Sequence, residues 1–279
     1  MMRKLISIEL YKIFSKPRTY IGFGAIIIIV LALEFGILLE GDTIMGIIIQ
    51  NIKERFMFQG NIINLYLVSY VILNTLWVDV PILVALVTGD LLAGEANAGT
   101  FRLILTRPIS RVKLVFAKFI AGWIYSIMLV ALLAILSIGI GQLLFGSGDL
   151  LVVTNKVNVF SSNDLLWRFA GAYAYGILGM TTVASLAFML SSMSDNSIGP
   201  IIGTVASIMG ITIISTVGAT LLGPVNRFIF TSYLPSWQLF FQSDSGLATL
   251  PHAILIQFIY IALFLGITIW HFRKKDILS

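Results

Sequence analysis

Between Tyr20 and Leu39 the only charged residue is Glu34. No other feature constrains the fold as much, because about 20 apolar residues in a helix match the roughly 30 Å hydrocarbon thickness of a bilayer. Similar runs recur at about 64–92, 111–145, 165–191, 198–222 and 251–272. In lipid the backbone must satisfy its own hydrogen bonds, so such runs are expected to be helices. The predicted fold class is all-α. It is a polytopic membrane protein with six transmembrane helices, the first at about 19–39, forming a single transmembrane domain over 1–279. Composition agrees: 58% of residues are hydrophobic and 11% charged, against about 25% charged in soluble domains. The third run is longer than the hydrocarbon layer at ~1.5 Å per residue, so its Arg111–Lys118 end is predicted to protrude.

The same composition excludes several chemistries. There is no cysteine and there are two histidines, so thiolate and His-cage metal sites are ruled out. The chain has no phosphate-binding Gly-rich loop, no His–Glu metal motif and no Gly-x-Ser-x-Gly turn, so it is not expected to be an enzyme or to bind ATP by that route. The net charge of +5 points to Lys- and Arg-rich loops rather than to nucleic acid.

Thirteen of the 18 Lys and Arg residues fall on one side of the six-span arrangement: Arg3, Lys4, Lys12, Lys16, Arg18, Arg102, Arg107, Arg111, Lys113, Lys118, Arg273, Lys274 and Lys275. The positive-inside rule makes that side cytoplasmic, with both termini inside the inner membrane. Residues 3–17 form an amphipathic helix ended at Pro17. Ile6, Leu10, Ile13 and Phe14 lie on one face, and Glu9, Lys12 and Lys16 on the other. The pattern predicts a helix lying in the headgroup plane, lysines toward anionic lipid, and not a cleavable signal. Outside, residues 46–58 are expected as a short surface helix, and the aromatic stretch 223–250 as an interfacial or re-entrant segment.

The most informative segment is 89–118, a polar, basic, turn-punctuated stretch between two apolar helices. Gly94, Gly99 and Pro108 make the chain turn. Thr100 is predicted to cap a short helix over 101–105, and Ser110 to cap the next long one. Phe101 and the leucines after it offer an apolar face, with Glu95, Arg102, Arg107 and Arg111 around it, as a docking surface needs. The bland alternative is a loop that only sets topology.

Glu95-x-x-x-Gly99-Thr100, then Leu105-Thr-Arg107-Pro108-Ile-Ser110-Arg111 and Lys118, resembles the signature of the ABC type-2 transporter permeases. The resemblance is strongest to the single-domain permeases of antibiotic-resistance, sodium-efflux and nitrous-oxide-reductase-maturation operons. The amphipathic start resembles that family's elbow helix, Tyr233-Leu-Pro235 its outer-loop signature, and Phe272-Arg273-Lys-Lys-Asp276-Ile its C-terminal ending. The resemblance implies that the loop between spans two and three is a coupling helix seated in a separate ATPase subunit. Glu95, Gly99, Thr100, Phe101, Arg102, Arg107, Pro108 and Arg111 then become the ATPase-coupling residues. It implies two ATPase subunits, which carry the ATP and Mg, and a second permease copy or paralogue completing an exporter. No cofactor is expected in this chain.

Within the spans, Asp79, two residues before Pro81, is a candidate pathway group, because an intramembrane carboxylate is costly and functional by default. Glu34 is placed near the outer end of span one, reaching the interface. Thr204 and Ser207 in span five line a polar path or, more simply, allow close helix packing. The competing class is an ion-coupled secondary carrier that titrates Asp79.

Overall fold

A computed structural model of the chain describes residues 2–53, 63–100, 110–153, 157–218, 223, 225–242 and 247–275. The helices are α1 (Met2–Phe14), α2 (Pro17–Lys53), α3 (Leu65–Thr88), α4 (Asp90–Asn97), α5 (Arg111–Phe145), α6 (Ser162–Met193), α7 (Ile198–Val217) and α8 (Leu250–Lys274). Two 3-10 segments, Val225–Phe228 and Phe230–Phe241, join α7 to α8. Five helices are long and apolar enough to cross a membrane: α2 over Pro17–Gly41, α5, α6, α7 and α8. The count becomes six when α3 and α4, bent by 55° between Leu65–Asn74 and Val78–Asn97, are taken as one crossing. The bend has a local cause. Pro81 donates no hydrogen bond to the carbonyl of residue 77, and its ring crowds that carbonyl.

The chain is mostly helical, as the all-α class predicts, with one short pair of strands among the described residues, and two expectations about its helices need correction. Residues Leu150–Val153 (β1) and Val157–Phe160 (β2) pair antiparallel, Leu150 opposite Phe160 and Val153 opposite Val157. Of the surface helix expected over 46–58, residues 46–53 are instead the unbroken continuation of α2 as far as Lys53, and residues 54–58 lie outside the described residues. Nothing in Gly41-Asp-Thr-Ile-Met is a strong enough breaker to stop a helix already 20 residues long. The apolar face of α1 does turn inward, Ile13 buried with Leu10 and Phe14 packed on the core, but Glu9, expected on the opposite face, is buried as well.

The centre of the bundle is α6, which packs against α3, α5, α7, α8 and the longer 3-10 segment. It is the least apolar of the five candidate spans, at a mean hydropathy of 1.5, yet 72% of its most apolar stretch is buried. Small residues explain the pairing of these two facts, because they let neighbouring backbones approach. A Cβ at Gly171 would meet the Phe240 ring at 2.3 Å. Phe240 lies in the segment Phe230–Phe241, whose Phe230, Leu234, Trp237 and Phe241 are buried rather than exposed at an interface. Arg168 of α6 ties this segment down: its Nη1 donates to the Phe240 carbonyl at 2.8 Å and its Nε to Asp164 at 2.8 Å.

Candidate functional site: a charged junction at the basic end

The ends of α1, α4, α5 and α8 converge on one face of the bundle. Lys118 belongs to the side of α5 that also carries Leu114, Val115, Ala121, Gly122 and Tyr125, all buried. It is therefore drawn inside and is 1% exposed. A buried ammonium is tolerated only with charge partners, and it has two. Its Nζ lies 2.7 Å from Glu9 Oε2 and 2.7 Å from Glu95 Oε1. Lys12 closes the ring, 2.9 Å from Glu9 Oε1 and 2.7 Å from Glu95 Oε1. Two carboxylates and two ammoniums thus alternate across α1, α4 and α5. A second knot lies beside it, where Asp90 Oδ2 meets Lys16 at 2.8 Å and Arg18. The lysines expected to face lipid headgroups are spent on these pairs.

α4 is held by its backbone as well. Its first amides, orphaned at any helix start, are capped from another helix: Ser191 Oγ of α6 accepts from Leu92 N at 3.1 Å and Ala93 N at 2.9 Å. At the other end Gly99 has a φ of 64°, a left-handed conformation that favours glycine. Thr100 Oγ1 donates to the Glu95 carbonyl at 3.3 Å, so Thr100 closes α4. It is expected to cap a helix over 101–105, but Phe101, Arg102, Arg107 and Pro108 lie outside the described residues. Ser110 does cap α5, accepting from Lys113 N at 3.3 Å. Arg111 points inward to the chain's own end. Its Nη1 donates to the carbonyls of Phe272, Arg273 and Lys275 at 3.3, 3.1 and 2.8 Å, satisfying acceptors left over at the end of α8. Lys275 reaches on to Asp195 at 2.6 Å.

The ring sets its own protonation. Burial alone pushes the Glu9 carboxyl up, but the ammoniums of Lys118 and Lys12 outweigh it and hold Glu9 below the ordinary 4.5. Burial alone pulls the Lys12 ammonium down, and Glu95 and Glu9 more than reverse this, placing it above 10.5. A depressed carboxyl contributes stability that is present above 4.5 and lost as pH falls through its lower folded value. A raised ammonium contributes stability that is present below 10.5 and lost as pH rises through its higher folded value. The ring is therefore intact across the interval between. Unfolding followed against pH in detergent is expected to show a shallower acid limb for Glu9→Gln than for the parent chain; identical acid limbs would refute the pairing.

Away from this face, a groove of about 660 Å³ runs between the bend of α3, α7 and the segment Phe230–Phe241, lined by Val78, Pro81, Ile82, Val205, Met209 and Thr212 among others. The three pathway candidates are not among its lining residues. Asp79 is half-buried and makes no ion pair among the described residues. Thr204 is buried, its hydroxyl returned to the Pro200 carbonyl at 2.6 Å, and Ser207 is half-buried. Glu34 does not reach an interface: it is 0% exposed.

Glu9, Lys12, Lys16, Arg18, Asp90 and Lys118 were absent from the predicted coupling set. The available signals were the i,i+3 spacing of Glu9 and Lys12 and a lysine inside the buried stripe of α5. Among the described residues no group of His, Asp and Glu side chains is arranged to hold a metal.

Apolar helices of spanning length around a central packed helix, with paired charges gathered at one end, define a helical membrane protein. The chain belongs to the family described as "Protein of unknown function (DUF2705)", which matches residues 26–278. It is also 28% identical over 117 residues to the uncharacterized protein YhcI of Bacillus subtilis (strain 168), a match covering 40% of this chain. The chain thus spans 37% of that relative's length. The family match begins within α2, so Glu9, Lys12, Lys16 and Arg18 precede it.

Proposed function

We propose that the chain is the membrane-embedded permease subunit of an ATP-driven exporter of the ABC type-2 kind, driven by a separate ATPase. The observation that supports this most directly is the charged junction. α4 carries Glu95 and Asp90, and both carboxylates are ion-paired to α1 or its continuation into α2, and Glu95 also to α5. A push delivered to the α4–α5 connection therefore reaches three helices at once, as a coupling element requires. In this reading the bent α3–α4 pair is one crossing, the spans number six, α1 is the elbow helix, and the basic end with both termini is cytoplasmic. The Glu95–Arg111 segment, with Gly99, Thr100, Phe101, Arg102, Arg107 and Pro108, faces the ATPase. Arg111 contributes indirectly, by fixing the start of α5 to the end of α8. Two permeases and two ATPase subunits form the working unit, and the groove beside α7 is one wall of the path between the permeases. ATP and Mg stay in the ATPase.

The test is to express the chain with the products of its neighbouring genes. A nucleotide-binding subunit is expected to co-purify, and Arg107→Glu to reduce coupled ATPase activity at least tenfold while the permease itself remains folded. Purification without any such subunit, or ATPase activity unaffected by the charge reversal, would overturn the reading.

A further inference from the structure

Glu34 is the carboxyl that the charged junction leaves unexplained. It lies on the stripe of α2 formed by Ile26, Val30 and Glu34, each 0% exposed. Neither of its carboxyl oxygens has a hydrogen-bond partner among the described residues. α2 packs here on α3 and α5. Gly141 of α5 presents bare backbone to it: a Cβ there would lie 3.7 Å from Glu34 Oε1 and 2.9 Å from Leu65 Cδ1. Next to it runs a polar chain, Ser69 Oγ donating to the Ser137 carbonyl at 2.8 Å and Ser137 Oγ bonded to the Tyr173 hydroxyl at 2.6 Å.

Among the described residues no cation pairs with this carboxyl. α3 has no Lys or Arg. Lys118, the nearest lysine on α5, is roughly 34 Å from Gly141 along the helix at 1.5 Å per residue. Arg168 of α6, closer in height, is occupied by Asp164, the Phe240 carbonyl and the Phe160 ring. At the level of Glu34 the groups on α3 and α5 are Ser69, Ser137 and Gly141, which do not titrate; Tyr66 turns its ring to Phe169. An isolated carboxylate in such surroundings is far costlier than a carboxylic acid, which is why groups of this kind take up a proton.

We propose that Glu34 is a proton-binding site inside the bundle, holding one exchangeable proton while α2 is packed on α3 and α5. Release breaks only the O–H bond. The proton passes to water at the end of the bundle opposite the charged junction, where Asn64 Nδ2 binds the Asp149 carbonyl, about one helical turn beyond Gly141. The carboxylate left behind cannot stay in the packed site, so proton loss and separation of α2 from α5 are one event. This site is Glu34 rather than Asp79, and it requires neither the ATPase nor any reading of the basic end.

Infrared spectroscopy of the full chain in lipid vesicles at neutral pH tests it. The expected result is a carboxylic-acid C=O band that shifts in D2O, disappears in alkali and is missing from the Glu34→Gln chain. Glu34→Gln, which copies the protonated form, is expected to unfold at or above the parent's temperature. Three outcomes overturn the proposal: only carboxylate absorption from Glu34; a band abolished by sodium or potassium chloride but not by choline chloride, which makes it a metal-cation site; or marked destabilisation by Glu34→Gln, which makes the charge itself structural. The deuterium and alkali responses are read on the unmutated chain and stand even where a variant fails to fold.

Discussion

Lys118→Met is expected to lower stability by about 3–5 kcal/mol, the range for removing one partner of a buried ion pair. The physical reason is what it leaves behind. Glu9 is buried and Glu95 nearly so, and both rely on Lys118 and the half-exposed Lys12. Without Lys118 two carboxylates share one flexible ammonium in a poorly solvated site. The loss should be non-additive in a diagnostic way. Replacing the three buried members, Lys118→Met together with Glu9→Gln and Glu95→Gln, is expected to recover most of the stability, because exchanging buried ionic partners for neutral residues is often close to neutral and the half-exposed Lys12 can turn to water. Denaturation in mixed micelles measures both. Equal destabilisation by the single and triple variants would show that Lys118 acts through packing of its stem alone. If the proposed coupling holds, the triple variant loses coupling to the ATPase despite its restored stability, which separates that role from the contribution to the fold.

Gly171→Leu is expected to damage the opposite region, by about 1–3 kcal/mol or more, as overpacking does. The Phe240 ring occupies the space where a side chain would begin, at 2.3 Å from an added Cβ. Phe240 cannot yield cheaply, because its carbonyl is the acceptor for Arg168. Displacing it leaves a guanidinium without one of its partners near the end of the most buried helix. Phe240→Ala in the same chain should relieve much of the damage. Gly24→Leu is the control, since nothing lies within 4 Å of a Cβ there. If Gly171→Leu and Gly24→Leu unfold alike, the contact between α6 and the 3-10 segment is not as described.

The spanning helices were legible because hydropathy over 20 residues is a large, summed signal. The cap at Ser110 was legible for the opposite reason, being a single local hydrogen bond. What escaped was direction. In α2 almost every residue from Tyr20 to Leu39 is apolar, so no polar face shows which side turns inward, and Glu34 gave no sign that it shared a stripe with Ile26 and Val30. In α1 the apolar face was legible, but the burial of Glu9 beside it was not. A charged face seeks whatever compensates it best, and buried Lys118 and Glu95 do so from helices far away in sequence. Arg111 escaped for a related reason: its acceptors are carbonyls freed by the end of α8, which no side-chain pattern announces.

The low hydropathy of α6 bears on how the chain is made as well as on how it is packed. With Asp164 and Arg168 near its start, hydroxyls along its length and glycines where neighbours press in, α6 gains little by entering lipid alone. Insertion of such a segment is helped by a companion already in the bilayer, and α5, emerging just before it and joined through the hairpin β1–β2, is the companion the chain order provides. Joined by β1 and β2, the least apolar of the candidate spans thus follows directly on one of the most apolar and packs against it.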